Sequence, residues 1–336
     1  VTRAAGGRPD SVTRDNAVGS GATTGLGVLV VRFGLFGTGH WAGETHGAGL
    51  AAHPRAQLVG VWGRDSAKAA ALAQRYGVPA FDDADALIEA CDAVAIALPP
   101  DVQAGIATRA AEAGRHLLLD KPLALTLTDA DRLVATVRAS GVASLVFFTQ
   151  RYHRNVTTFL AATAADGGWQ HAEATLFTSI FQPGSPYVGS AWRRQHGGLW
   201  DTGPHALSLI LPVLGRVTRV AAMDGPRGLV HLLLSHDSGA TSRISLTLDA
   251  PSAAVSHGIA FYGESGIETV PNGDDTLAGA FGTAVDQLLA EIESGTRDHR
   301  LDVRFGREVV AILAAAEVAR TESRTVEVSP VPTGTS

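Results

Sequence analysis

From Val28 onward the chain alternates apolar runs with stretches of helical period. "VLVVRFGLF" (28–36), "AQLVGVW" (56–62), "AVAIAL" (93–98), "HLLL" (116–119) and "ASLVFF" (143–148) read as buried strands, with a short "AF" at 80–81. Between them the spacing predicts helices over 41–53, 66–76, 82–91, 102–114 and 128–141. Asp82 or Asp83 is placed to cap the third helix and Thr128 the fifth, while Gly114 suits the position just past the fourth. Strands that are apolar throughout, separated by helices of this length, imply a parallel sheet covered on both faces. The expected class for this half is α/β, a doubly wound sheet that binds ligands at the carboxyl ends of its strands.

After residue 150 the pattern changes. A helix is expected at 156–165. Strands then dominate, at 170–181, 219–223, 228–236, 240–249 and 257–263, several of them alternating polar with apolar residues. That alternation suits a mostly antiparallel open sheet, and helices return at 276–295 and 304–323. The expected organisation is thus a nucleotide-binding α/β domain over 28–149 and an α+β domain for substrate and oligomer contacts over 150–330. Residues 1–27 are rich in Gly, Ser, Thr and Ala without periodicity, so a disordered extension is expected there.

Composition narrows the function classes. A length of 336 residues exceeds what one core usually supports, in keeping with two domains. The net charge of −6 offers no reason to expect nucleic acid or an anionic membrane as partner. No apolar run approaches the roughly 18 residues of a membrane span. A single cysteine, Cys91, precludes an intramolecular disulfide and suits a reducing, cytoplasmic setting.

The first strand end reads Gly37-Thr38-Gly39-His40-Trp41-Ala42, the G-x-G-x-x-A form of the dinucleotide fingerprint. Gly37 allows the tight turn, Gly39 the approach of a pyrophosphate, and Ala42 close packing of helix on strand. At the second strand end an acidic residue would accept hydrogen bonds from the adenosine ribose, but Gly63 and Arg64 stand there. NADP(H) is therefore expected over NAD(H), with Arg64 facing the 2′-phosphate. Asp65 remains open between a ribose contact and a helix cap. Leu98 and Pro99, at the third strand end, are candidates for a wall beside the nicotinamide. Lys121 follows the next strand directly. From the residues alone it is either a surface lysine at a turn or a polar group aimed into the ligand site.

The fingerprint, the strand ending in Pro-Pro, and "DKPLA" (120–124) resemble the Gfo/Idh/MocA oxidoreductases, named for glucose–fructose oxidoreductase, inositol dehydrogenase and a rhizopine catabolism protein. The usual family motif is Glu-Lys-Pro; here Asp120 replaces the glutamate, which weakens any contact to the nicotinamide ribose. "AWRRQHGGLWDTGPHALSLILPVLG" (191–215) is similar to a second family signature, with Ser208 where many members carry Asp. The resemblance implies a Lys121–Asp201–His205 active-site set. Read alone, Asp201 and His205 are too few for a metal site, and no metal is expected. Pro204 suits a first helical turn, so Asp201 could cap a helix. If the turn is helical, positions four apart share a face and Asp201 could set the tautomer of His205 as acid/base.

Arg151, Tyr152, Trp192 and Arg193 are the candidate substrate residues. The resemblance implies hydride transfer between NAD(P) and a secondary alcohol or ketone of a sugar, inositol or related polyol, in a homodimer or homotetramer. Two alternatives stay open: a redox-assisted epimerase or glycosidase holding NAD tightly, and a non-catalytic NAD(P)-sensing regulator.

Overall fold

The computed structural model describes Val1 and residues 29–330. Most of the expected extension over 1–27 lies outside the described residues. Two sheets organise the remainder. The first has six parallel strands, β1 (Val31–Phe36), β2 (Ala56–Trp62), β3 (Ala80–Phe81), β4 (Ala93–Ile96), β5 (His116–Asp120) and β6 (Ser144–Phe147), in the order β3-β2-β1-β4-β5-β6. The order reverses between β1 and β4, so the crevice beyond their carboxyl ends is where such a sheet takes a ligand. Its interior strands are buried on both faces: Phe33, Leu35, Val94, Ile96, Leu117 and Leu119 are all fully enclosed.

Helices α2 (Ser66–Tyr76), α3 (Ala84–Ala90), α4 (Pro100–Glu112) and α5 (Leu127–Ser140) connect the strands. Asp83 caps α3, and Gly114 lies just past α4 with φ +75°. Thr126, not Thr128, caps α5. Its backbone is extended and its hydroxyl oxygen accepts from the Asp129 amide, while Thr128 already lies within the helix. The first connection opens as a π-helix (Ala42–Gly47) and continues as α1 (Ala48–Ala52). Tyr76 donates its hydroxyl to the Gly43 carbonyl at 2.6 Å, satisfying an acceptor in the widened turn.

The second sheet has seven strands: β7 (Trp169–Phe177), β8 (Val217–Asp224), β9 (Val230–His236), β10 (Thr241–Thr247), β11 (Ser256–Gly263), β12 (Gly266–Thr269) and β13 (Val326–Glu327). In the order β12-β11-β7-β10-β9-β8-β13, only the β7–β10 pair is parallel. One face is covered by α7 (Ala191–Asp201), α8 (Gly203–Leu214) and α10 (Val303–Glu322). The other is open and carries exposed Met223, Leu233 and Ile267. A further helix, α6 (Arg154–Asp166), precedes β7 and packs on α8.

Helices α9 (Leu277–Ser294) and α10 return to the parallel sheet. Phe281 of α9 packs so closely on α1 that a Cβ at Gly49 would meet its ring at 2.8 Å. Arg307 of α10, itself buried, donates to Asp131 of α5 at 2.7 Å. The late helices therefore join the two halves.

Gly37 has φ +131°, and a Cβ there would lie 2.4 Å from the Ala97 carbonyl oxygen, whereas a Cβ at Gly39 would meet nothing within 4 Å. Gly37→Ala is expected to lower the stability of the ligand-free protein by about 1–3 kcal/mol, with Gly39→Ala within about 0.5 kcal/mol of wild type. Urea denaturation compares them; equal losses would contradict this placement of the turn.

Candidate active site

The carboxyl edge of the first sheet opens into a cleft of about 980 Å³. Thr38, Gly39, His40, Trp41 and Ala42 line its first-strand side, with Gly37 in the turn beneath. Gly63 and Arg64, then Leu98 and Pro99, then Asp120 and Lys121 continue along the strand ends. The opposite wall comes from the segment before α7 and from α7 itself, including Tyr187, Ser190, Trp192, Arg193, Gln195 and His196. Of these, Trp192 and Arg193 were legible as candidates. Tyr187 and Ser190 sit in an irregular connection whose sequence carries no periodic signal, and Gln195 lies on α7.

Local geometry explains how α7 delivers its side chains. Gly197 adopts φ +63° and ψ −161°, which breaks the helix midway. The next residue, Gly198, passes so close to β10 that a Cβ would lie 3.1 Å from the Thr247 amide nitrogen. The Gly pair thus lets the chain reverse and press against the second sheet, leaving Asp201 at the end of α7. Pro204 then occupies the first turn of α8, as its fixed φ favours.

At the floor of the cleft Lys121 meets Asp201. The Lys121 Nζ donates to Asp201 Oδ1 at 2.9 Å and to its backbone carbonyl at 2.8 Å. Arg193 Nε donates to the other carboxylate oxygen at 2.9 Å. Lys121 is 9% exposed and Asp201 7%. Burial alone would raise the Asp201 carboxyl, but the charges of Lys121 and Arg193 outweigh it and hold the group at about 2. The Arg193 guanidinium lies over the rings of Tyr187 and Trp192, at 4.5 and 4.6 Å, which fixes its fork.

His205 stands beside this group, coupled electrostatically to Lys121, Asp201 and Arg193. Burial, reinforced by the Lys121 charge, pulls its imidazole down to about 3. The expected Asp201–His205 hydrogen bond is not formed. Both Asp201 oxygens are taken by cations, Lys121 on one and Arg193 on the other. Among the described residues no group hydrogen-bonds the His205 ring, and His205 itself is not among the residues that line the cleft. The same occupation of Asp201 argues against a metal there, and no cluster of three ligating side chains occurs among the described residues.

Asp120 accepts from the Lys121 amide at 2.9 Å, and burial pushes its carboxyl up to about 6. Buried Gln103, on α4, is a positioning residue that the sequence did not reveal. Its side-chain oxygen accepts from the Asp120 amide, and its Nε2 donates to the carbonyls of Asp120 and Pro122 at 2.7 and 3.1 Å. It ties the loop carrying Lys121 to the neighbouring helix. Asp65 resolves as the cap of α2, accepting from the Lys68 amide at 3.1 Å.

Arg151 and Tyr152 do not reach the cleft, which corrects their assignment to a substrate pocket. Tyr152 is fully buried against Phe147 and donates its hydroxyl to the Val146 carbonyl at 3.0 Å. Arg151 is 4% exposed and donates to the Ser208 carbonyl at 2.6 Å. The 3₁₀ turn over Thr149–Tyr152 directs both side chains inward.

The low values of His205 and His46, both near 3 through burial, generate an acid response. An unfolded histidine titrates near 6.5, so between about 3 and 6.5 the unfolded chain binds more protons than the folded one. Their stabilising contribution is complete above about 6.5 and lost as pH falls, by at most about 1.4 kcal/mol per pH unit per histidine. Urea midpoints measured from about pH 7 to about pH 4.5 should decline, less steeply in His205→Gln. Equal slopes in the two proteins would remove His205 from the account.

Residues 31–148 match the Gfo/Idh/MocA family profile, described as an oxidoreductase family with an NAD-binding Rossmann fold. At 30% identity over 240 residues the chain resembles dTDP-3,4-didehydro-2,6-dideoxy-alpha-D-glucose 3-reductase of Streptomyces violaceoruber, covering 70% of this chain and 67% of that one. D-xylose 1-dehydrogenase (NADP(+)) 2 of Haloferax volcanii is 26% identical over 79% of this chain and 83% of its own length. Among solved structures, levoglucosan dehydrogenase in complex with NADH and levoglucosan superposes with a TM-score of 0.77 at 19% identity, over 89% of this chain and 99% of that one, a likeness of fold. With the six-stranded doubly wound sheet and its glycine turn in place, these matches make the chain a member of the Gfo/Idh/MocA oxidoreductase family.

Proposed function

We propose that the protein is an NAD(P)-dependent dehydrogenase or reductase acting on a secondary alcohol or ketone of a sugar, inositol or related polyol. The observation that carries this is the buried Lys121–Asp201 pair at the floor of a cleft headed by a dinucleotide turn, with the His205 ring unengaged beside it. The names of the two sugar-active relatives support the substrate class.

The cleft fits a dinucleotide. Open space over Gly39 leaves room for a pyrophosphate against the backbone, held by the turn at residues 37–42. A side chain at Gly63 would collide with the Thr38 methyl at 2.4 Å, so an acidic ribose acceptor has no room there. Arg64, lining the cleft, offers positive charge in its place, which supports NADP(H) as the preferred form; Lys68 beside it is paired with Asp65 at 3.5 Å. When bound, the nicotinamide supplies or accepts the hydride.

The chain's own residues manage the proton and the charge. Neutral His205 accepts the hydroxyl proton during oxidation and returns it during reduction. Lys121 donates a hydrogen bond to the reacting oxygen and stabilises the negative charge that develops on it. Asp201 positions Lys121 rather than the imidazole, and Arg193 steadies Asp201. Asp120, through the Lys121 amide, fixes the loop. The lone, buried Cys91 fits a reducing cytoplasmic setting. The open face of the second sheet, with Met223, Leu233 and Ile267 exposed, supports assembly into a homodimer or homotetramer.

A screen of sugars and inositols, followed at the nicotinamide absorbance, tests the reading. Net cofactor turnover with at least one substrate supports it. Product formed without net turnover would point to the redox-assisted alternative, and cofactor binding without any product to a sensor. Lys121→Ala and His205→Ala should each lower kcat by about 10²-fold or more, while leaving cofactor affinity largely intact. Arg64→Ala should weaken NADPH by about tenfold with little effect on NADH, as read by fluorescence titration. Tighter wild-type binding of NADH than of NADPH would end the proposed preference.

A further inference from the structure

A second cavity, of about 360 Å³, lies between α6, the C-terminal end of α8 and the start of α10. It shares no lining residue with the cleft. Three arginines face it, Arg151, Arg216 and Arg300, against one acid, Glu308. That acid is engaged: its carboxylate lies 3.8 Å from Arg216. Neither Arg151 nor Arg300 has a carboxylate within ion-pair distance among the described residues.

Arg151 is the unusual member. Its side chain is 96% removed from solvent, being 4% exposed. Nη1 donates to the Ser208 carbonyl, Nε is buried without a partner, and no bond engages Nη2. Burial, and then the like charge of Arg300, pull its guanidinium down to about 10, with the Ser208 carbonyl and the Phe305 ring as its compensating contacts. A buried charge is normally paired or hydrogen-bonded throughout.

We propose that this cavity binds a small oxyanion, a carboxylate or phosphate group carried by a metabolite, between Arg151 and Arg300. A guanidinium presents its donors as a planar fork that matches either group. Leu160, Leu211 and Phe305 supply apolar wall for the body of the ligand, with the Phe305 ring 5.9 Å from the Arg151 guanidinium carbon. Arg151 also reaches the helix that carries His205. It holds the Ser208 carbonyl, and the Ser208 hydroxyl donates to the His205 carbonyl at 2.8 Å. The ligand would therefore sit against one end of α8 while the cleft lies at the other. The site does not depend on the hydride chemistry proposed above.

Isothermal titration of the purified full chain with inorganic phosphate and, separately, with succinate tests the site. The expected result is saturable binding of at least one probe, one per chain, weakened about tenfold or more by Arg300→Ala and unchanged by Arg64→Ala. Arg64→Ala removes a cation from the cleft and so reports phosphate held there instead. Arg151→Met should lose binding in the same way; since Arg151 is buried and its variant could misfold, exposed Arg300 keeps the test decisive. Preference for phosphate or for succinate identifies the natural headgroup, and either supports the site. No saturable binding of either probe, or binding that survives Arg300→Ala but fails in Arg64→Ala, would overturn it.

Discussion

The rest of the site depends on the ion pair between Lys121 and Asp201. Lys121 comes from the exit of β5 and Asp201 from the end of α7, so one contact of 2.9 Å joins the two halves at the floor of the cleft. Taking both charges out of water is expensive, and removing one partner of such a pair typically costs about 3–5 kcal/mol. The arrangement persists because Asp201 is over-supplied with donors: Lys121 on one oxygen, Arg193 on the other. Asp120 lies beside the same group, so two cations, Lys121 and Arg193, are set against two carboxylates before any ligand arrives.

Parts of this were legible in the chain. Parallel strands covered on both faces are largely apolar, so "AVAIAL" and most of "AQLVGVW" announced themselves, and β2 spans the expected residues 56–62 with Gln57 exposed near its start. Gly37 was legible because its positive φ and the nearby Ala97 carbonyl exclude a side chain there. Caps were less certain. "TLTD" offers two threonines, and only the backbone path shows that Thr126 is the extended one.

Side-chain direction was not legible. Arg151 and Tyr152 follow a strand end of the sheet, as Lys121 does, yet a 3₁₀ turn sends them into the interior. The Asp201–His205 spacing of four suggested a bond between the two, but both carboxylate oxygens go to Lys121 and Arg193 instead. Tyr187 and Ser190 belong to an irregular segment in which position follows from tertiary contacts. Gln103 looks like any helix glutamine until its three bonds to the 120–122 loop are seen. Period reveals an element, and fold places it; neither says what a side chain in a loop will touch.

The ionisation of His205 closes the chemical logic. An imidazole near 3 is neutral at physiological pH, and so can accept a proton, but it is a weaker base than one matched to its surroundings. Burial sets the low value first, and the Lys121 cation lowers it further. A substrate hydroxyl placed between Lys121 and His205 changes the second contribution. As its oxygen gains negative charge, that charge offsets Lys121 and makes the neighbouring imidazolium less costly. The ring therefore becomes a better base as the oxygen releases its proton, and a worse one in an empty cleft. In the proposed reaction a cation that suppresses proton transfer on its own would promote it once a reacting oxygen lay between Lys121 and His205, and the two would act as a pair without bonding to each other.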